Sequence, residues 1–444
     1  VIGGSMAGLK QDQQEAADLF EQWLNNSDEM ICGLWASAGF GKSWLAKHLV
    51  KDVISRSKYR AVLTSTTHSA AGVLADFVGL DVSTLHSKLG WVPTANKDTG
   101  EEGIVTNQMR DKNADRVLTK GDLIVVDEAG TLGHIETRLL IEECEATGAR
   151  VLLIGDNKQC FPVTKNDEEM CVPAYDVTET YLNLYIPKRA DKDNTIYILC
   201  NKLRDCVDGA KRPKLETALN PDKSGVRVVD DIEELAIMAF KAGVRDGNTK
   251  NIKVLAFTNE RCLTLNRKIR KKVMGLKDPT PVVGEEMVAN TSITMMDGEE
   301  VIIRNNEIVT VVSVEKTDSH GLPGAFIQYA NERGEDVDGI VFVPASPAKL
   351  KSRLHAIAEE ASQFKEDGND EQASATWRTY YHLKEGCADI RFTYAMTVNK
   401  AQGITLKHAL VDLNNIDNCR HKEQRARLVY TAASRPHTFL TIEV

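Results

Sequence analysis

The run Ala36-Ser37-Ala38-Gly39-Phe40-Gly41-Lys42-Ser43 lies between an apolar stretch and an amphipathic one, and its residue types suit a triphosphate. Small residues let backbone N–H groups converge on phosphate oxygens, Lys42 would neutralise the β and γ charge, and the Ser43 hydroxyl would ligate Mg²⁺ at a helix N-terminus. Ala36 stands where such loops usually carry their first glycine, and a tight strand-to-helix turn rich in small residues would look similar. Further on, Asp127-Glu128-Ala129-Gly130 places two adjacent carboxylates after an apolar run. Asp127 would hold Mg²⁺, directly or through water, and Glu128 would orient and deprotonate the water that attacks a γ-phosphate. Then Gly155-Asp156-Asn157-Lys158-Gln159 brings a long amide, Gln159, to where that phosphate would project. Solvated acidic pairs and polar turns are common after strands, so each motif alone also has a purely structural reading.

The elements that would position these groups alternate. Residues 12–26 predict an amphipathic helix with Asp12 as its N-cap. Met30–Trp35 predicts a strand, Ala36–Gly41 a loop, and Lys42–Val50 a helix. Arg60–Thr64, Asp122–Asp127 and Arg150–Gly155 predict buried strands, with a helix over Glu136–Glu145. A second series of this kind begins with Lys253–Thr258 and a helix over Arg261–Val273, and resumes with the strands Ala409–Leu413 and Phe439–Glu443. Strands alternating with helices imply parallel sheets covered on both faces. Residues 281–346 lose the helical period and show short β-rich runs split by turn signals, which predicts a small antiparallel barrel. Residues 347–386 are helical and highly charged, broken at Asp367-Gly368-Asn369-Asp370, and predict two helices or an arm projecting from the barrel. The basic face Arg261, Arg267, Lys268, Arg270, Lys271 and Lys272 reads as a solvated helix surface.

A chain of 444 residues is too long for one small module. With 42% apolar and 27% charged residues it is neither disordered nor fibrous. The nine cysteines are odd in number and lack a Cys-x-x-Cys pair, which argues against a zinc or disulfide framework and fits a reducing, cytoplasmic setting. No apolar run reaches about 18 residues, so no membrane span is expected. Fifty-five basic residues against 64 acidic ones give a net charge of −9, so any grip on nucleic acid must come from local groups.

Taken in order, Ala36–Ser43, Leu63–His68, Ser83–His86, Asp127-Glu128, Gly155–Gln159, Lys188-Arg189, Tyr394–Gly403 and Tyr430–Arg435 resemble the motifs of superfamily 1B DNA helicases, most nearly the bacteriophage Dda type, RecD-like. The resemblance implies an α/β fold of two RecA-like P-loop NTPase lobes, with a β-hairpin inserted in the first and a small β-barrel plus helical arm inserted in the second. Its domains would be 7–90 and 112–190 (first lobe, ATP site), 91–111 (hairpin pin), 191–280 and 387–444 (second lobe) and 281–386 (barrel with arm). It implies ATP and Mg²⁺ as cofactors, 5′–3′ travel on single-stranded DNA, unwinding of forked duplex, and a monomer. A DNA-dependent ATPase that remodels protein–DNA complexes, or a RecD-like subunit needing a partner, fits the same motifs, as does a degenerate P-loop protein using ATP only structurally.

By the same resemblance Arg189 and Arg435 are arginine fingers, Gln13 reads adenine, and Gly403 belongs to the nucleotide site beside Ala38, Gly39, Phe40 and Gly41. His68, Thr84 and His86 in the first lobe, and Thr397, Asn399 and Lys400 in the second, fall where the family grips one strand. Asn399 stands where the family usually has His, although its amide still donates to phosphate. Trp91 or Val92 would meet a base at the pin, the alternative being a tryptophan packed back on its own lobe.

Overall fold

The computed structural model describes residues 8–95, 102–111, 116–161, 173–187, 193–245, 249–290, 293–294, 301–303, 306–319, 321–331, 334 and 336–444. They divide into two compact units. One runs to Ile232 and includes Leu255–Phe257 and Thr397–Val444; the other holds Glu233–Val254 and Thr258–Met396.

The first unit contains a six-stranded sheet in the order Ser83–Thr84, Arg60–Ser65, Asp122–Asp127, Arg150–Gly155, Ile31–Trp35 and Thr180–Asn183. All of its pairings are parallel. The continuous apolar runs have a physical cause here, because side chains alternate across a strand and both faces are covered. Leu123, Val125, Leu152 and Ile154 pack on one face with Phe20, Trp23, Leu45 and Leu49. Ile124, Val126, Val151 and Leu153 pack on the other with Leu139, Leu140 and Cys144. The helix after the phosphate loop, Lys42–His48, continues into a π-helical turn, Leu49–Val53.

The opening helix spans Gln11–Asn26, and its N-cap is Lys10 rather than Asp12. Asp12 is buried, and its carboxylate accepts the N–H groups of Gln13, Tyr185 and Ile186. A capping residue and a buried carboxylate two positions into the first turn are indistinguishable by sequence, because the partners are supplied 173 and 174 residues away.

The second sheet of this unit joins Leu406–Val411, Pro436–Glu443 and Gly225–Val229 in parallel, with Ala218–Leu219 antiparallel at one edge and the ends of Ile252–Ala256 and Ala395–Thr397 at the other. The strand expected to reach Leu413 stops at Val411, because Asp412 turns to cap the short helix Leu413–Ile416 through Asn415 N. Helices Thr195–Val207 and Lys422–Ala433, not individually expected, pack against each other over this sheet.

In the other unit five antiparallel strands run in the order Asp336–Pro344, Leu322–Ala330, Ile308–Ser319, Glu286–Ala289 and Ile390–Phe392. Cys387 bridges Phe342 on one edge strand, and three residues later Ile390 pairs with Ala289 at the opposite edge. That short segment closes the sheet into a barrel around Met287, Val309, Ile327, Tyr329 and Val341. The arm is the helix pair Pro347–Glu366 and Asp370–Gly386, seated through Leu350 and Leu383 on Leu322 and Phe342. The basic helix Asn259–Val273 departs from a wholly solvated face: Arg270 is buried and forms a bidentate pair with Glu285, at 2.7 and 2.9 Å.

Candidate nucleotide site

Three loops meet at the C-terminal ends of the first sheet, where an open α/β sheet places its ligand crevice. The Ala36 N–H donates to Gly155 O at 3.1 Å, which fixes the start of the phosphate loop to the Asp156 turn. A Cβ on Gly130 would lie 3.0 Å from Asp156 O, and one on Gly155 would lie 3.0 Å from Gly130 N. Glycine at both positions is what lets the acidic loop and the amide turn approach this closely.

In the phosphate loop, Gly39 and Gly41 have φ of 85° and 86°, a conformation that bends the N–H groups round the cavity ahead of Lys42. Lys42 Nζ lies over the loop, 2.7 Å from Ala36 O and 3.2 Å from Ser37 O. Ala38 is half-buried, Phe40 is buried, and Ser43 is exposed on the first turn of the helix. Gln13 packs behind the loop: its Nε2 donates to Gly41 O at 3.3 Å and its Oε1 accepts the Lys10 N–H.

Asp127 ends its strand, and its Oδ1 accepts the Glu128 N–H at 3.0 Å. Withdrawal from solvent, reinforced by the neighbouring Glu128 charge, pushes the Asp127 carboxyl up to about 7, against the opposing pull of Lys42. Glu128 adopts φ 54° and ψ 33°, a left-handed conformation costly for a non-glycine residue and concentrated at functional sites. The Glu128 carbonyl accepts from Thr66 Oγ1, Thr131 Oγ1 and Thr131 N, which holds that conformation. Gly403, with φ 82°, comes within 4.0 Å of Glu128 Oε1 at the position a Cβ would take.

Arg435 is buried and lines a cleft with Ser37–Phe40, Asn194, Tyr197, Cys200 and Tyr430. Its Nη2 donates to Ser434 Oγ at 2.8 Å and its Nε to Thr431 O at 3.2 Å. Arg189 lies outside the described residues, as does Lys188.

Among the strand-contact candidates, His68 opens the helix His68–Val78. Thr84 and Thr397 are buried, and their hydroxyls accept from Ser87 N and Lys400 N. Asn399 Nδ2 donates to Phe161 O, and Lys400 is half-buried beside it. His86, whose pKa burial lowers against the pull of Glu136, meets Trp91 edge to face at 5.6 Å. Trp91 itself is a core residue, 5% exposed among Leu85, Leu89 and Leu118. That burial corrects its expected place as a base-stacking pin residue: the indole finds an apolar pocket in its own lobe. Val92, 44% exposed, begins the hairpin Val92–Ala95 with Glu102–Val105.

Sequence reasoning overlooked Arg204, which donates to Ser37 Oγ, and Arg427. Arg427 Nη1 donates to the carbonyls of Asn157 and Gln159, and its guanidinium lies 4.1 Å from the centroid of Phe161. The signal was available, since Arg427, Tyr430 and Thr431 share one face at helical spacing just ahead of Arg435.

A family model described as an AAA domain matches residues 8–168. The ATP-dependent DNA helicase dda of Enterobacteria phage T4 is 23% identical over 395 residues, covering 84% of this chain and 85% of that protein. The uncharacterized protein R530 of Acanthamoeba polyphaga mimivirus is 20% identical over 497 residues, covering 95% and 97%. A solved structure concerning DNA unwinding at forked dsDNA by two coordinating Pif1 helicases superposes with a TM-score of 0.52 at 14% identity, covering 98% of this chain and 92% of that one. That likeness is one of fold.

Proposed function

We propose, on the premise that the chain is a superfamily 1B helicase of the Dda type, that it is an ATP-dependent DNA helicase moving 5′ to 3′ on single-stranded DNA and unwinding duplex. The observation that supports the reading is that the loop before Lys42, the Asp127-Glu128 loop and the Asp156 turn meet at the strand ends of one sheet, while Ser37–Phe40 of the first of these loops line a cleft together with Arg435.

The loop amides and Lys42 bind the β- and γ-phosphates. Glu128 accepts a proton from water as its oxygen bonds to the γ-phosphorus and the bond to the β-bridging oxygen breaks, leaving ADP and phosphate. Arg435 neutralises charge that grows on the transferring group. Hard oxygen donors, the Ser43 hydroxyl and the Asp127 carboxylate, fit Mg²⁺, which keeps few protein ligands and completes its shell with phosphate oxygens and water. When bound, the ion supplies charge neutralisation at the phosphates. Gln13, whose amide holds Gly41 O, would read the base on exchanging that contact. His68, His86, Asn399 and Lys400, with Thr84 and Thr397 supporting their loops, would hold the sugar–phosphate track without reading sequence.

ATP turnover by the purified chain should rise on adding single-stranded DNA, and a forked duplex with a 5′ tail should be unwound in preference to one with a 3′ tail. Turnover unaffected by DNA would refute the coupling. Stimulated turnover without strand separation would instead indicate a translocase that remodels protein–DNA complexes or requires a partner subunit.

A further inference from the structure

A second cleft, of about 660 Å³, opens between the end of the helix Thr195–Val207 and the start of the helix Lys422–Ala433. It shares no lining residue with the nucleotide cleft, although the same two helices serve both. Tyr197, Cys200 and Tyr430 line the nucleotide cleft, whereas Leu203, Val207, Ala426 and Val429 line this one. The volume lies within the range of about 300–1,000 Å³ usual for ligand sites.

The floor is aliphatic: Leu203 and Val429 are buried, and Val207 and Ala426 half-buried. Among the described residues no ring lines the cleft except the His421 imidazole, and no side-chain amide does, so a nucleobase would find little to stack on and no amide to pair with. The rim is charged, and its acids are already matched. Asp208 pairs with Lys158, and Glu423 Oε1 accepts from Arg427 Nε and Nη2 at 3.1 and 2.8 Å. The rim cations are not matched in the same way. Arg212 forms a bidentate pair with Asp417 at 2.5 and 2.9 Å, while Arg425 reaches that same carboxylate only at 3.9 Å and otherwise donates to the Asp417 and Cys419 carbonyls. Lys422 is exposed and pairs with no carboxylate among the described residues. His421 Nδ1 accepts the Gln424 N–H at 3.2 Å, so the neutral ring carries its proton on Nε2, a further donor. Three cations thus have one carboxylate between them, a local positive surplus on a chain of net charge −9.

We propose that this cleft is a docking site for an acidic peptide segment of a partner protein, in which an aliphatic side chain fills the floor and flanking carboxylates meet Lys422, Arg425 and Arg212. A phosphodiester backbone would satisfy the rim but leave the aliphatic floor without an apolar partner, so the pairing of floor and rim selects a peptide over a polynucleotide. The site is independent of the hydrolytic chemistry.

The probe is the fluorescein-labelled peptide Asp-Asp-Leu-Asp-Asp, titrated with the full chain at low salt and read by anisotropy. Binding should be saturable and weaken as ionic strength rises. It should fall about tenfold when the central Leu is replaced by Gly, and likewise when every Asp is replaced by Asn. Lys422→Glu reverses a rim charge at the first helical position, where an acid suits the helix dipole, and Ala426→Glu sets a carboxylate on the floor while keeping a good helix former. Each should weaken the peptide about tenfold with little change in melting midpoint. Lys349→Glu combined with Lys351→Glu, on the exposed start of the arm, should leave binding unchanged. Absence of saturable binding, indifference to Lys422→Glu and Ala426→Glu, or an equal loss in the arm variant would overturn the proposal. So would displacement of the peptide by oligo-dT whose own affinity falls in Lys422→Glu, which would make the cleft a nucleic-acid contact.

Discussion

Replacing Glu128 by glycine should separate the backbone's interest from the reaction's. Its φ of 54° puts a side-chain-bearing residue in the left-handed region, which disfavours an L-residue by about 1–2 kcal/mol. Glycine relieves that but brings about 0.5–1 kcal/mol of extra chain entropy to lose on folding, so the net gain is about 0.5–1 kcal/mol. Glu128→Gln provides the reference, since it removes the same charge beside Asp127 while keeping the strained backbone. In a cooperative unit of about 150–250 residues the difference should raise the apo melting midpoint of Glu128→Gly by about 1–4 °C over Glu128→Gln. Both variants should bind nucleotide and fail to hydrolyse it. A glycine variant that melts at or below the glutamine variant would show that the three hydroxyl and amide contacts on the Glu128 carbonyl, not the torsion, govern this turn. Retained turnover in either variant would remove Glu128 from the chemistry.

Arg435→Ala should lower DNA-stimulated kcat by about 10³-fold with a much smaller change in ATP affinity, measured by steady-state turnover against equilibrium binding. His408 is mostly buried against Thr441 and Phe439, and burial together with Arg227 pushes its pKa down to about 4. The fold therefore favours the neutral ring, stability is unaffected above the ordinary value of 6.5, and it falls as pH drops below that towards 4. Between pH 7.5 and 5 this group should account for about 2 kcal/mol of lost stability, a pH dependence that chemical denaturation should find flattened in His408→Asn. Trp91→Ala should destabilise the fold by about 3–5 kcal/mol, as for a core aromatic, whereas Val92→Ala should leave the melting midpoint nearly unchanged.

The phosphate loop, the acidic pair and the Asp156 turn were legible because each is a local device: its residue types are dictated by backbone approach and by the strand end on which it sits. The parallel strands were legible for a similar reason, as Asp122–Asp127 and Arg150–Gly155 are apolar on both faces. What could not be read depends on partners far along the chain. Arg427 meets its carbonyls 268 and 270 residues away, and only the folded unit shows that a helix face near the C-terminus grips the turn. Trp91 is equally plausible as an exposed wedge or a packed indole until Leu85, Leu89 and Leu118 surround it. The closing of the barrel by Cys387–Ile390 left no trace in the sequence, because a single backbone bridge imposes no pattern on side chains.

The buried carboxylate of Asp12 links chain segments that sequence distance would keep apart, since the opening helix also carries Gln13 to the back of the phosphate loop. A leash of two amide hydrogens thus ties Tyr185 and Ile186, just ahead of the stretch that leads to Arg189, to the element that touches the nucleotide loop. Trimming the protein back to the first strand would sever that leash, leaving the Tyr185 and Ile186 amides without their acceptor and the Gly41 carbonyl without its amide donor at once.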